Sequence, residues 1–118
     1  MYATDKIAAI IQQLPSVTQE VKWEVNECFL IGGKIFAVRS LVEDFAFSMK
    51  VTEEDFYELT ERDGVFQAPY FKRNQWVKIS LPNALTAAEW RQYLGRAYQL
   101  VFEKLTKKVR EEILGGFE

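Results

Sequence analysis

The 118-residue sequence contains no histidine and one cysteine, Cys28. The commonest general base and commonest metal ligand are therefore missing. Standard zinc sites and Ser–His or Cys–His catalysis are excluded with them, and a lone thiol forms no internal disulfide. Gly32-Gly33 lacks the following helix that a phosphate-binding glycine loop requires. No apolar run approaches the ~20 residues of a membrane-spanning helix. The opening "MYATDKIAAIIQQLP" carries Asp5 and no basic n-region, so it reads as a helix and not a signal peptide. These absences lead to expectations of a single domain over residues 1–118, cytoplasmic residence and a monomeric state. No metal, cofactor or membrane contact is expected, and no enzymatic activity, since no spacing predicts convergent carboxylates.

What the chain does have is a division of charge. Residues 1 to 63 hold six basic and twelve acidic side chains, residues 64 to 110 hold nine and two, and the last eight residues add three acids. Such asymmetry points to a nucleic-acid or membrane surface if the halves stay apart in space, and to nothing if they interleave.

Ile7, Ile10, Ile11 and Leu14 form a helical stripe from about Thr4, stopped by Pro15. "SVTQEVKWEV" alternates Val17, Val21, Trp23 and Val25 with polar residues and predicts a strand. "ECFLIGGKIFAVRS" predicts a hairpin turning at Gly32-Gly33. In that register Leu30 faces Ile35 and Cys28 faces Ala37, while Phe29, Ile31, Phe36 and Val38 share the other side. Cys28 reads as a packed structural thiol. In "FAFSMKV", Phe45, Phe47, Met49 and Val51 point inward and Ala46, Ser48 and Lys50 outward. Thr52 caps a short helix whose acidic first turn, Glu53 to Asp55, suits the helix dipole. "WVKISL" alternates Val77, Ile79 and Leu81, facing the core, with Trp76 and Lys78. Thr86 and Glu89 form a capping box for the longest helix, whose core stripe is Trp90, Leu94, Ala97, Val101 and Leu105. Gly95 in its interior suggests close packing, and a last helical segment ends at Gly115-Gly116. The order of elements gives an α+β protein, an antiparallel sheet with helices packed on one face.

The stretch "QAPYFKRNQWVKI", Gln67 to Ile79, interleaves three aromatics with three cations. Lys72, Arg73 and Lys78 suit phosphate neutralisation, and Tyr70 or Trp76 suits stacking on a base. Arg39 and Lys50, on the preceding strands, extend the patch. Phe71 is expected in the core; Tyr70 and Trp76 side either with the core or with the cations. Lys107, Lys108 and Arg110 form a second cluster, read locally as i, i+4 pairs with Glu111 and Glu112. DNA is the leading partner. The alternative is a protein- or small-ligand-interaction module using the apolar outer face of the sheet, which a mixed surface with an apolar patch would favour over a basic stripe.

Several stretches together resemble the MmcQ/YjbR family of small bacterial proteins across nearly the whole chain: "LPSVTQE", "IGGKIFAV", "FSMKV", "APYFKRNQWVKISL" and "AYQLVFEKLTKK". The resemblance implies a frataxin-like (CyaY-like) two-layer sandwich and a proposed DNA-binding role through a double-wing arrangement of sheet and loops. Lys72 and Arg73 fill positions where the family has Asn then Lys, Gln75 replaces a His, and Thr106 stands where proline is usual. Iron binding, known for frataxins through an acidic first helix, is not carried over, because the first helix here has only Asp5, balanced by Lys6.

Overall fold

The computed structural model describes residues 4–69 and 71–115. Helix α1 (Asp5–Gln12) is followed by strands β1 (Thr18–Lys22), β2 (Asn26–Ile31), β3 (Lys34–Ser40) and β4 (Phe47–Lys50), helix α2 (Glu53–Leu59), strands β5 (Val65–Gln67) and β6 (Trp76–Ile79), and helices α3 (Ala87–Phe102) and α4 (Lys107–Gly115). The six strands form one antiparallel sheet in the order β1-β2-β3-β4-β6-β5. After α2 the chain lays down β5 at the edge, turns, and returns as β6 between β5 and β4. The expected α+β sandwich is present. The three-residue β5 is an addition, too short to leave a periodic signal.

One face of the sheet carries the core. Phe29, Phe36, Phe47, Met49, Val77 and Ile79 are fully buried there and belong to the same apolar cluster as Ile7 and Ile11 of α1 and Trp90, Leu94, Ala97 and Val101 of α3. Trp90 meets Phe47 edge-on at 5.7 Å, and Tyr98 meets Phe36 the same way at 5.7 Å. The Tyr98 hydroxyl donates to the Pro15 carbonyl at 2.7 Å, anchoring the exit from α1. The starts of α2 and α3 follow the sequence signals, whereas Thr4, the expected N-cap of α1, makes no side-chain capping bond. The Asp55 N–H donates to Thr52 Oγ1, and Thr86 and Glu89 form the reciprocal capping box.

The β2–β3 pairing departs from the simple hairpin. Leu30 stands opposite Ile35 as expected, but Phe29 stands opposite Ala37 and Cys28 opposite Val38. Phe36 is the extra residue of a β-bulge, and a bulge turns every later side chain to the other face. Ala37 therefore enters the core beside Phe36, whereas Val38 joins Cys28 and Leu30 on the opposite face.

Three other expectations are corrected. The strand foreseen over residues 16–25 breaks at Lys22, because Trp23 (φ 55°) and Glu24 (φ 62°) are left-handed and turn the chain into β2. Leu81 lies past the end of β6 and is exposed. Gly95 permits no close approach: a Cβ there would meet nothing within 4 Å. At Gly32, by contrast, a Cβ would sit 2.7 Å from Leu105 Cδ1 at a φ of 58°, so the α3–α4 connection packs directly on the β2–β3 turn.

Two outcomes follow. Gly95→Ala should stabilise the protein by about 1 kcal/mol, since it removes glycine's backbone entropy without a clash, and raise Tm by roughly 4 °C in a thermal melt. Glu89 receives the Arg62 guanidinium at 2.7 and 3.0 Å and the Thr86 N–H at 3.0 Å, and these hold its carboxyl at about 2 against an ordinary 4.5. A depressed carboxyl contributes stability above its unfolded pKa and loses it as pH falls. The Glu89 contribution should be full above pH 4.5 and fade toward pH 2, and Glu89→Gln should remove that part of the acid limb in urea titrations run across this range.

Candidate functional site

The sheet face opposite the helices is built from a row that crosses all six strands: Glu20, Cys28, Val38, Ser48, Lys78 and Phe66 stand side by side by register. Its middle members are small, and Ser40 and Ala46 in the next row are small as well. Larger residues rise at the margins, so the face is concave. The result is a groove of about 610 Å³ floored by Cys28, Val38 and Ala46, with Trp23 at one end and Phe71 at the other. Trp23 is 75% exposed, held out by its left-handed turn. Burial pushes the Cys28 thiol above its ordinary value, which keeps it protonated and poorly nucleophilic.

The Gln67–Trp76 connection is braced from within. The Asn74 N–H donates to Gln67 Oε1 at 2.8 Å, Gln67 Nε2 donates to the Ala68 carbonyl at 2.8 Å, and Asn74 adopts φ 63°. This bracing folds Phe71 over the open face, where it stacks on Trp76 at 4.2 Å between ring centres and packs against Cys28, Leu30 and Val38. Trp76 is only 7% exposed. It shares the open face with Lys78 as expected, but it is covered by Phe71 and is not available for stacking on a base. Lys72 and Arg73 remain exposed at the tip of the loop, and Tyr70 lies outside the described residues.

The strand cations separate. Lys78 lies on the open face but donates to both carboxylate oxygens of Glu43 at 3.2 Å. Arg39 does not extend the patch. The bulge turns it to the helix-covered side, where it is buried and donates to Asp5 Oδ1 at 2.7 Å and Glu27 Oε1 at 2.9 Å. Lys50 pairs across the sheet with Trp76, one row beyond Ser48 and Lys78 toward the β2–β3 turn. Its amine is pushed below the ordinary lysine value by burial, then by the positive charges of Lys104 and Lys72. The charges that act on Lys50 are thus other lysines, brought from two distant parts of the chain. Sequence reasoning missed Lys104. Its only signal was membership of the basic half, because the contact depends on how the α3–α4 connection folds back on the turn.

The second basic cluster sits in that same region. Thr106 Oγ1 accepts the Val109 N–H at 3.3 Å and caps α4, which puts Lys107 and Lys108 in the first helical turn. Of the two foreseen i, i+4 pairs, Lys107–Glu111 is within 3.9 Å, on an exposed surface. Among the described residues, no group of three or more His, Cys, Asp or Glu is arranged to hold a metal ion.

These features define an α+β two-layer sandwich with one sheet face left open. The chain belongs to the YjbR family, whose model matches residues 12–100. It is similar in structure to the Deinococcus radiodurans protein DR2400, a DUF419-domain protein, with a TM-score of 0.83 at 22% identity over 96% of this chain and 88% of that one. It is also similar to a Pseudomonas syringae protein, with a TM-score of 0.64 at 19% identity over 85% of this chain and 98% of that one. At these identities the likeness concerns the fold. No curated protein matches the chain.

The division between structural and surface cations is directly measurable. Arg39→Met leaves Glu27 without its guanidinium in a half-buried position and should cost about 3 kcal/mol in a denaturant titration. Lys72→Ala, at an exposed tip, should stay within about 0.5 kcal/mol of the parent.

Proposed function

We propose that this protein is a cytoplasmic, monomeric, non-catalytic module that binds the phosphate backbone of duplex DNA through the lysines at the β2–β3 turn end of the sheet. The observation that supports this reading most is the convergence of Lys50, Lys72 and Lys104 from a strand end, a loop and a helix end. Like charges held together raise each other's free energy, and an anion placed among them relieves it. Arg73 stands beside Lys72 in the braced loop. Lys107 and Lys108 occupy a helix N-terminus, where the dipole disfavours cations by a few tenths of a kcal/mol and favours a phosphate. The interface differs from the one expected along the strands. Lys50, Lys72 and Arg73 stay in it, Lys104 enters, Arg39 and Trp76 leave it for structural roles, and Lys78 leaves it for a pair with Glu43.

Contacts to phosphate position a protein without reading sequence, so binding should be indifferent to base composition. With about four phosphates neutralised, log affinity should fall against log salt with a slope of about −3.6. The measurement is fluorescence anisotropy with a labelled 20-base-pair duplex at several salt concentrations. Lys72→Glu/Lys104→Glu, both at exposed positions, should weaken binding at least tenfold, and Lys78→Gln should leave it unchanged. Absence of binding at low salt, a slope near zero, or insensitivity to the double charge reversal would overturn the reading.

A further inference from the structure

We propose that the groove on the open face is a binding site for a small organic anion with an aromatic-sized apolar body, the body lying over Cys28, Val38 and Ala46 and the acid group on Lys78. The site is separate from the basic end, and the inference does not rest on DNA binding.

The groove's volume of about 610 Å³ falls within the roughly 300–1,000 Å³ of small-molecule sites. Its composition is that of such sites as well: an apolar floor, an aromatic residue at each end, and a few polar groups, Asn26, Ser40 and Ser48, at the sides. A phosphate backbone gains nothing from an apolar floor, whereas a ligand with an apolar body does. The site is also prepared before any ligand arrives, because the braced loop and the Phe71–Trp76 stack hold one wall in place.

The sign of the ligand's charge follows from the Lys78–Glu43 pair. The Lys78 side chain is 25% exposed and Glu43 is 53% exposed. Glu43 stands on the β3–β4 connection, where its own N–H donates to Ser40 Oγ at 3.0 Å. An entering acid that takes Lys78 releases Glu43 to water at little cost, since exposed pairs are weak. An entering cation that took Glu43 would instead leave Lys78, the less exposed of the two, without its partner, which is unfavourable. Glu43 therefore acts as a placeholder for the ligand's acid group. Lys78 is the residue that selects it, and Cys28, a protonated thiol, contributes shape and no covalent chemistry.

The test uses 1-anilinonaphthalene-8-sulfonate, an aromatic anion whose fluorescence rises in apolar sites, titrated into the folded protein. One saturable site is expected. Lys78→Gln should weaken it by about tenfold, the scale of one charge-assisted hydrogen bond. Glu43→Gln, at an exposed position, should tighten it by removing the competing carboxylate, and Ala46→Phe should abolish it by filling the floor. Dansylcadaverine, a cationic probe, should bind more weakly than the anion. Lys72→Glu/Lys104→Glu should leave dye binding intact, which separates this site from the phosphate surface. Circular dichroism and the urea midpoint of each variant establish that it is folded. The proposal falls if the parent shows no saturable site, if affinity ignores both Lys78→Gln and Glu43→Gln, or if the cationic probe binds tighter. It falls equally if the parent sediments as a dimer that Ala46→Phe dissociates, since the groove would then hold a second copy of the chain.

Discussion

The bulge at Phe36 sets the facing of everything after it in β3, and through β3 the character of both faces of the sheet. With two consecutive residues, Phe36 and Ala37, turned into the core, the helix side gains a large and a small side chain where a regular strand offers one. The large one meets Tyr98 of α3 edge-on. Val38 and Arg39 then point opposite to the regular pattern. Val38 becomes floor on the open face. Arg39 becomes a buried cation that requires partners, and Asp5 and Glu27 meet that requirement. A regular hairpin would place Arg39 on the open face and leave Glu27 and Asp5 facing one another without a cation between them.

The open face follows from the same geometry. A sheet covered by helices on one side exposes the other to water, and an antiparallel sheet tolerates this when that side is polar. Here the centre of the face is apolar, and among the described residues Phe71 of the β5–β6 connection packs against it. The Phe71–Trp76 stack lies at the Leu30 end of this cluster, and the groove runs from Phe71 past the nearly buried Cys28, Val38 and Ala46 to Lys78. One loop therefore shapes two surfaces. Its aromatic residue closes one end of the groove, and its tip carries Lys72 toward Lys50, which pairs with Trp76 across the sheet.

What was legible in the sequence was local. Thr52, Thr86 and Glu89 announce helix starts, Gly32-Gly33 the hairpin, and Phe45 to Val51 an inward–outward alternation, because each depends on residues a few positions apart. The bulge was not legible. An inserted residue in "KIFAVRS" leaves a run that is apolar throughout, so nothing marks which residue is extra. The turn at Trp23 and Glu24 was hidden for the opposite reason. It uses left-handed backbone without glycine or asparagine, the residues that signal it. In the candidate site, Lys72 and Arg73 could be placed at a loop tip from sequence. The meeting of Lys50 with Lys104 could not, since it spans more than fifty residues and depends on Leu105 packing over Gly32.

Charge in this chain is sorted by side-chain chemistry as well as by position. Arg39, Arg62 and Arg96 each meet a buried or half-buried carboxylate: Asp5 with Glu27, Glu89, and Asp55. A planar guanidinium donates in several directions at once and is weakly hydrated, so it suits such partly desolvated pairs. Lysine is a compact, strongly hydrated charge that loses more on burial, and the lysines of the basic end stay at or near the surface. The net positive charge of residues 64–110 thus overstates what a partner meets. Arg96 and Lys78 are drawn to acids from the first half, Asp55 and Glu43, which outweighs the opposite effect of Arg62, an outside cation that takes Glu89, one of the segment's two acids. After these pairings, Lys72 and Lys104 are left near Lys50, a positive surface at one end of a protein whose overall charge is negative. A surface of that sign attracts anions through its field, whereas the one lysine on the open-face groove, Lys78, is already paired with Glu43.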